Sequence, residues 1–107
     1  MEISIDLSPV FEKQAERLFK KYPSIFSDIK KLIGQLKVDP TQGESLGKSL
    51  YKVRMKITSK GKGKSGGARV ITCVKLIKNK IILLAIYDKS EMETMTAKEL
   101  LELLNYT

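Results

Sequence analysis

The spacing of apolar residues switches from helical to strand-like near Leu50, and that switch admits few folds. Phe11, Ala15, Leu18, Phe19 and Tyr22 lie on one helical stripe, and Ile25, Ile29, Leu32, Ile33 and Leu36 lie on a second. Ser8 and Pro9 suit the N-cap and first position of the first helix. Pro23 breaks it, and Asp39-Pro40 ends the second, giving a helical hairpin. Beyond Leu50 the apolar residues alternate or run continuously, which predicts strands over about 50–58, 68–77 and 81–88. Asn79 marks a tight turn between the last two. At the start, Ile3, Ile5 and Leu7 alternate with Glu2, Ser4 and Asp6 as a half-buried strand. Thr96 and Glu99 have capping-box spacing and open a short helix with Ala97, Leu100, Leu101 and Leu104 on its apolar side. Thr41 to Lys48, with Gly43 and Gly47, reads as a loop. The order β-α-α-β-β-β-α argues an α+β fold, a mostly antiparallel sheet packed on the helical hairpin. At 107 residues it is a single domain, residues 1–107.

The residue inventory removes several chemistries. With no histidine, there is no imidazole base and no His-dependent zinc site. The lone Cys73 cannot form an internal disulfide; in an apolar strand it reads as a small core residue, which fits a reducing cytosol. Glu2 and Asp6 stand where a secretory signal would need a cationic and then apolar start, and the apolar run 81–87 is too short to span a membrane. The expectation is a cytoplasmic protein without metal or cofactor.

Charge is segregated. Ser45 to Tyr87 contains no Asp or Glu and eleven basic residues, while the remainder carries nine basic against twelve acidic residues. A block of one sign repels itself, and a polyanionic partner relieves that repulsion. On the strand from Leu50, Tyr51, Val53, Met55 and Ile57 point to one face and Lys52, Arg54 and Lys56 to the other, about 7 Å apart along the strand. That interval approaches the phosphate repeat of a nucleic-acid strand.

Residues Lys60 to Gly67, with Lys62 and Lys64, end like a phosphate-binding loop but have Thr58 where the first glycine is required and lead into a strand instead of a helix. They read as a basic loop able to follow a nucleic-acid backbone. Arg69, at the start of an apolar strand, requires an anionic partner or an open cleft, with Asp88 or Glu91 as the alternative structural counter-ion. Tyr87 is either a core aromatic or a stacking surface for a base. Lys89 and Glu91 follow the last strand and could close the same cleft.

The combination of Tyr51-Lys52-Val53-Arg54, the glycine-lysine loop running into Ala68-Arg69-Val70-Ile71, and Leu84-Ala85-Ile86-Tyr87-Asp88-Lys89-Ser90-Glu91 resembles the RelE-type toxins of bacterial type II toxin–antitoxin systems, most closely their HigB-like branch. The resemblance covers nearly the whole chain. It implies ribosome-dependent cleavage of mRNA, translation inhibition, and a cognate antitoxin as partner. It implies a concave basic site in which Lys52, Arg54, Arg69 and Lys89 carry the chemistry, with Lys56, Lys60, Lys62, Lys64 and Tyr87 binding RNA. The sequence departs from the toxin that names the family at Ser90, where an arginine stands, and at Thr96, where a tyrosine stands. It departs at Thr72 from an aromatic common in the family. Without metal or histidine, cleavage would use the RNA's own 2′-hydroxyl, with Arg54 and Arg69 stabilising charge, Lys52 or Lys89 shuttling a proton and Glu91 as reserve base. Alternative readings are a ParE-like gyrase-inhibiting toxin and a catalytically inactive relative that binds RNA or an antitoxin. A plain DNA-binding module is disfavoured, because no predicted helix carries the cations of the acid-free block.

Overall fold

The computed structural model describes residues 2–60, 67–91 and 95–105. The elements are β1 (Ser4–Leu7), α1 (Pro9–Lys21), α2 (Ile25–Val38), β2 (Glu44–Gly47), β3 (Leu50–Met55), β4 (Ala68–Lys75), β5 (Lys80–Asp88) and α3 (Ala97–Leu104). They form the expected α+β arrangement. Five strands lie in the order β1-β5-β4-β3-β2, antiparallel except for the β1–β5 pair.

Each helix starts where its cap chemistry places it. The Ser8 Oγ accepts from the Phe11 N–H and donates to the Leu84 carbonyl, so one hydroxyl caps α1 and ties it to β5. β1 stops at the Leu7–Leu83 pair, and β5 runs on past it. The exposed flank of β5 is then served by α1: the Gln14 Oε1 accepts from the Ile86 N–H. Thr96 and Glu99 form the expected capping box on α3.

Both sheet faces bury apolar residues. On one side, Phe11, Leu18, Ile25, Leu32 and Leu36 of the helical hairpin pack on Val53, Met55, Val70, Ile81 and Leu83. On the other, Leu103 of α3 meets Leu50, Ile71, Cys73, Ile82 and Leu84. The expected stripe of α1 holds except at Phe19. Its ring is exposed beside Phe26, with centroids 5.0 Å apart. Cys73 is a buried core residue.

The structure differs from the sequence reading in three places. Residues 44–47, read as loop, form the edge strand β2, paired with β3. The strand from Leu50 ends at Met55, and Thr58–Lys60 is a 3-10 turn. The fourth strand ends at Lys75; Leu76–Lys78 is a second 3-10 turn, closed by Asn79 in the left-handed conformation at φ 51°. The turn at Asn79 is where the sequence placed it. Among the described residues, no helix is long and apolar enough to cross a membrane.

Candidate functional site

α3 covers only part of the second sheet face. Beyond its reach, Lys52 and Arg54 of β3 and Arg69 of β4 stand on that same face, because their cross-strand partners share it. The register is specific: Arg54 lies directly opposite Arg69, which lies opposite Tyr87, and Lys52 lies opposite Ile71. Two arginines facing each other across a ladder, with Cβ atoms about 5 Å apart, disfavour the sheet by themselves. Such a pair suits an anion placed between or above them.

These residues line a cleft of about 640 Å³ whose wall comprises Gln42, Gly43, Glu44, Lys52, Val53, Arg54, Arg69 and Lys89. Arg54 is exposed at its mouth. Arg69 lies deep, 5 % exposed, with Nη1 donating to the Ala68 carbonyl at 3.2 Å. The Lys89 N–H donates to the Gly67 carbonyl at 3.0 Å, which turns the chain so that Lys89 closes the wall. The four residues expected to carry chemistry, Lys52, Arg54, Arg69 and Lys89, are thus brought together.

The wall contributed by residues 42–44 was missed in the sequence. Glu44 is paired in register with Lys52, and its Oε1 lies 3.3 Å from the Lys52 Nζ. Glu44, one residue before the acid-free segment, therefore sets an anion beside the basic strand face. Gly43 lets β2 approach this closely: at φ 101°, a Cβ there would sit 2.6 Å from the Lys52 carbonyl oxygen. The signal available was a single glycine before a four-residue segment with one apolar residue, too short for a periodicity.

Several expected RNA contacts stand elsewhere. Lys56 is exposed past the end of β3 and outside the cleft wall. Lys62 and Lys64 lie outside the described residues. Tyr87 is 3 % exposed and packs with the α3-side core, so the core alternative holds and no face of the ring is open to a base. Lys60 is likewise not presented to solvent. Its Nζ donates to the Asp88 Oδ1 at 2.8 Å and to the Ser90 Oγ at 3.2 Å, with the side chain 12 % exposed. Asp88, offered by the sequence as a counter-ion for Arg69, is instead bound by Lys60, by the Tyr22 hydroxyl at 2.6 Å, and by the Ser90 N–H and Oγ. Burial alone would push this carboxyl up. The hydrogen bonds from Lys60, Tyr22 and Ser90 outweigh that and hold it well below the usual carboxylate range. The hydrogen bond to Asp88, with burial, pushes the Tyr22 phenol up.

Two of the family departures acquire a structural meaning. Ser90 is a ligand of Asp88. Thr72 is paired with Tyr51 and Leu83, residues of the helix-side core, so it faces away from the cleft.

Residues 11–107 match the family described as RelE toxin of the RelE/RelB toxin–antitoxin system. The chain belongs to the RelE toxin family. A RelE-type chain is the toxin half of a toxin–antitoxin system, and an antitoxin is its partner. The fold agrees with that of the E. coli toxin RelE, solved in the free state as a double arginine-to-alanine mutant. The TM-score is 0.62 at 17 % identity, over 87 % of this chain and 90 % of that one. Among the described residues of this RelE family member, no three His, Cys, Asp or Glu side chains group as a metal site.

Proposed function

We propose that this toxin acts in the cytoplasm as an endoribonuclease that cleaves mRNA on the ribosome and so stops translation. The observation that carries the reading is the in-register pair Arg54 and Arg69, set with Lys52 and Lys89 in one cleft. Guanidinium groups bind phosphate oxygens through paired hydrogen bonds, and a buried one does so against little competition from water. The reaction uses the RNA's own 2′-hydroxyl. Its oxygen attacks the adjacent phosphorus, the bond to the 5′-oxygen breaks, and the products are a 2′,3′-cyclic phosphate and a 5′-hydroxyl. One proton leaves the 2′-hydroxyl and one is delivered to the departing oxygen.

In this scheme Arg54 and Arg69 hold the non-bridging oxygens as negative charge grows on them. Lys89, across the cleft from β3, is placed to donate to the leaving oxygen. Lys52 carries its own carboxylate, Glu44, so the pair offers a donor and an acceptor within 3.3 Å. Glu44 thereby takes the place of Glu91, which does not line the cleft. No resident metal enters the scheme. Lys56 would follow the mRNA backbone outside the cleft, Lys62 and Lys64 would add to the attraction for RNA by their charge, and the ribosome would supply much of the positioning.

The test is a purified translation system with a defined mRNA. The wild-type toxin should cut the mRNA only when ribosomes occupy it. An mRNA left whole on translating ribosomes contradicts the nuclease reading and favours a toxin that acts by binding.

A further inference from the structure

Lys60, Asp88, Tyr22 and Ser90 form a polar node beside the cleft that the proposed chemistry does not use. It is built from four separate parts of the chain: the residue capping the end of α1, the 3-10 turn after β3, the last residue of β5, and the turn that follows. Asp88 is 1 % exposed, and both of its oxygens are engaged. The Lys60 ammonium also lies 5.6 Å from the centre of the Tyr22 ring. The turn bearing Lys60 is fixed from its other end, where Asp28 accepts from the N–H and hydroxyl of Thr58 at 3.0 and 2.6 Å. On the far side of the node, Ser90 folds back onto Asp88, and the Glu91 N–H donates to the Asp88 carbonyl. Lys89 is caught between: its neighbours on both sides belong to the node, and its own N–H is held by Gly67.

We propose that Asp88 and Lys60 are positioning residues that fix the backbone of Lys89 and thereby aim its ammonium into the cleft beside Arg69. A buried, fully hydrogen-bonded ion pair is a poor source of net stability, because desolvating both charges offsets most of their attraction. It is an effective way to impose one geometry, since every competing rotamer leaves a charge buried without its partner. The node is therefore the means by which a residue on a turn acquires the fixity of one on a strand. Lys60, by the same argument, is not a phosphate ligand.

The proposal rests on the nuclease reading only for its catalytic readout, and a double-mutant cycle separates the two. Asp88→Asn keeps the shape of the side chain and removes the charge. In the full chain, below the melting temperature of every variant, Asp88→Asn should slow single-turnover mRNA cleavage on ribosomes by about ten- to a hundredfold, as expected for a misplaced reacting group. In a Lys89→Ala background the same substitution should change the rate less than about twofold, because the residue it positions is gone. Equal losses in both backgrounds, or no loss in the first, overturn the proposal. If the wild-type toxin does not cleave mRNA, the nuclease reading fails on its own. The same cycle, read as affinity for a fluorescein-labelled single-stranded RNA, then decides the positioning role. Lys60→Met should weaken that affinity in the wild-type background and leave both affinity and salt slope unchanged in the Lys89→Ala background, where the residue it positions is gone. A further loss of slope in the Lys89→Ala background would make Lys60 a phosphate contact and contradict the assignment.

Discussion

At the scale of single residues, charge in this protein is sorted by depth. Arg54 and Lys56 are exposed, Lys52 is partly buried against Glu44, and Lys60 is enclosed by its own carboxylate. Alternation along β3 was enough to find the first three, because side-chain direction on a strand follows sequence parity. It could not find the fate of Lys60, which depends on Asp88, twenty-eight residues away in the chain. Nor could it place Tyr87, whose burial depends on how far α3 extends over the sheet. The Asp88 node makes a pH prediction. Its carboxyl titrates below the ordinary value of 3.8 in the folded protein, so the stabilisation it gives is complete above that value and is lost as pH falls towards the folded value. Asp88→Asn should therefore melt below the wild type at neutral pH, and the gap should close on acidification below about pH 4. Thermal melts of both proteins across this range check it; a gap that is constant with pH would show that the charge of Asp88 contributes nothing.

At the scale of elements, the long periodic segments were legible and the short or bent ones were not. The helical hairpin and strands β3, β4 and β5 each carry enough apolar residues to show a period. β2 has four residues and exists because β3 offers an open edge and Gly43 permits the approach. The irregularity in β4–β5 pairing between Ile71 and Thr72 is likewise invisible in sequence. It leaves the Thr72 Oγ1 buried on the helix side with no hydrogen-bond partner among the described residues. A buried hydroxyl in that state costs free energy that an isosteric methyl does not. Thr72→Val should raise stability by about 1 kcal/mol, read by denaturant melts, without altering cleavage. Loss of stability would mean that the hydroxyl is satisfied after all.

At the scale of the whole molecule, the acid-free segment from Ser45 to Tyr87 supplies two of the five strands in full and most of two others, and it brings Lys52, Arg54 and Arg69 to the cleft. With Lys52, Arg54, Arg69 and Lys89 in the cleft, binding to single-stranded RNA should fall with salt at a log–log slope of about −2 to −3. Fluorescence anisotropy between low and physiological salt measures this, and a flat profile would mean that the basic face is not an RNA surface.

The central claim is that the Arg54–Arg69 pair promotes cleavage of mRNA by its own 2′-hydroxyl. The most direct measurement is a single-turnover assay on ribosomes programmed with end-labelled mRNA, comparing the wild type with Arg54→Ala and identifying the new ends. Cleavage should leave a 2′,3′-cyclic phosphate and a 5′-hydroxyl. Arg54→Ala should slow it about a hundredfold, equivalent to roughly 3 kcal/mol of lost transition-state stabilisation, with the melting temperature preserved because an exposed like-charge neighbour of Arg69 has been removed. Cleavage that leaves a 5′-phosphate, or an Arg54→Ala protein that cuts at the wild-type rate, would contradict the account.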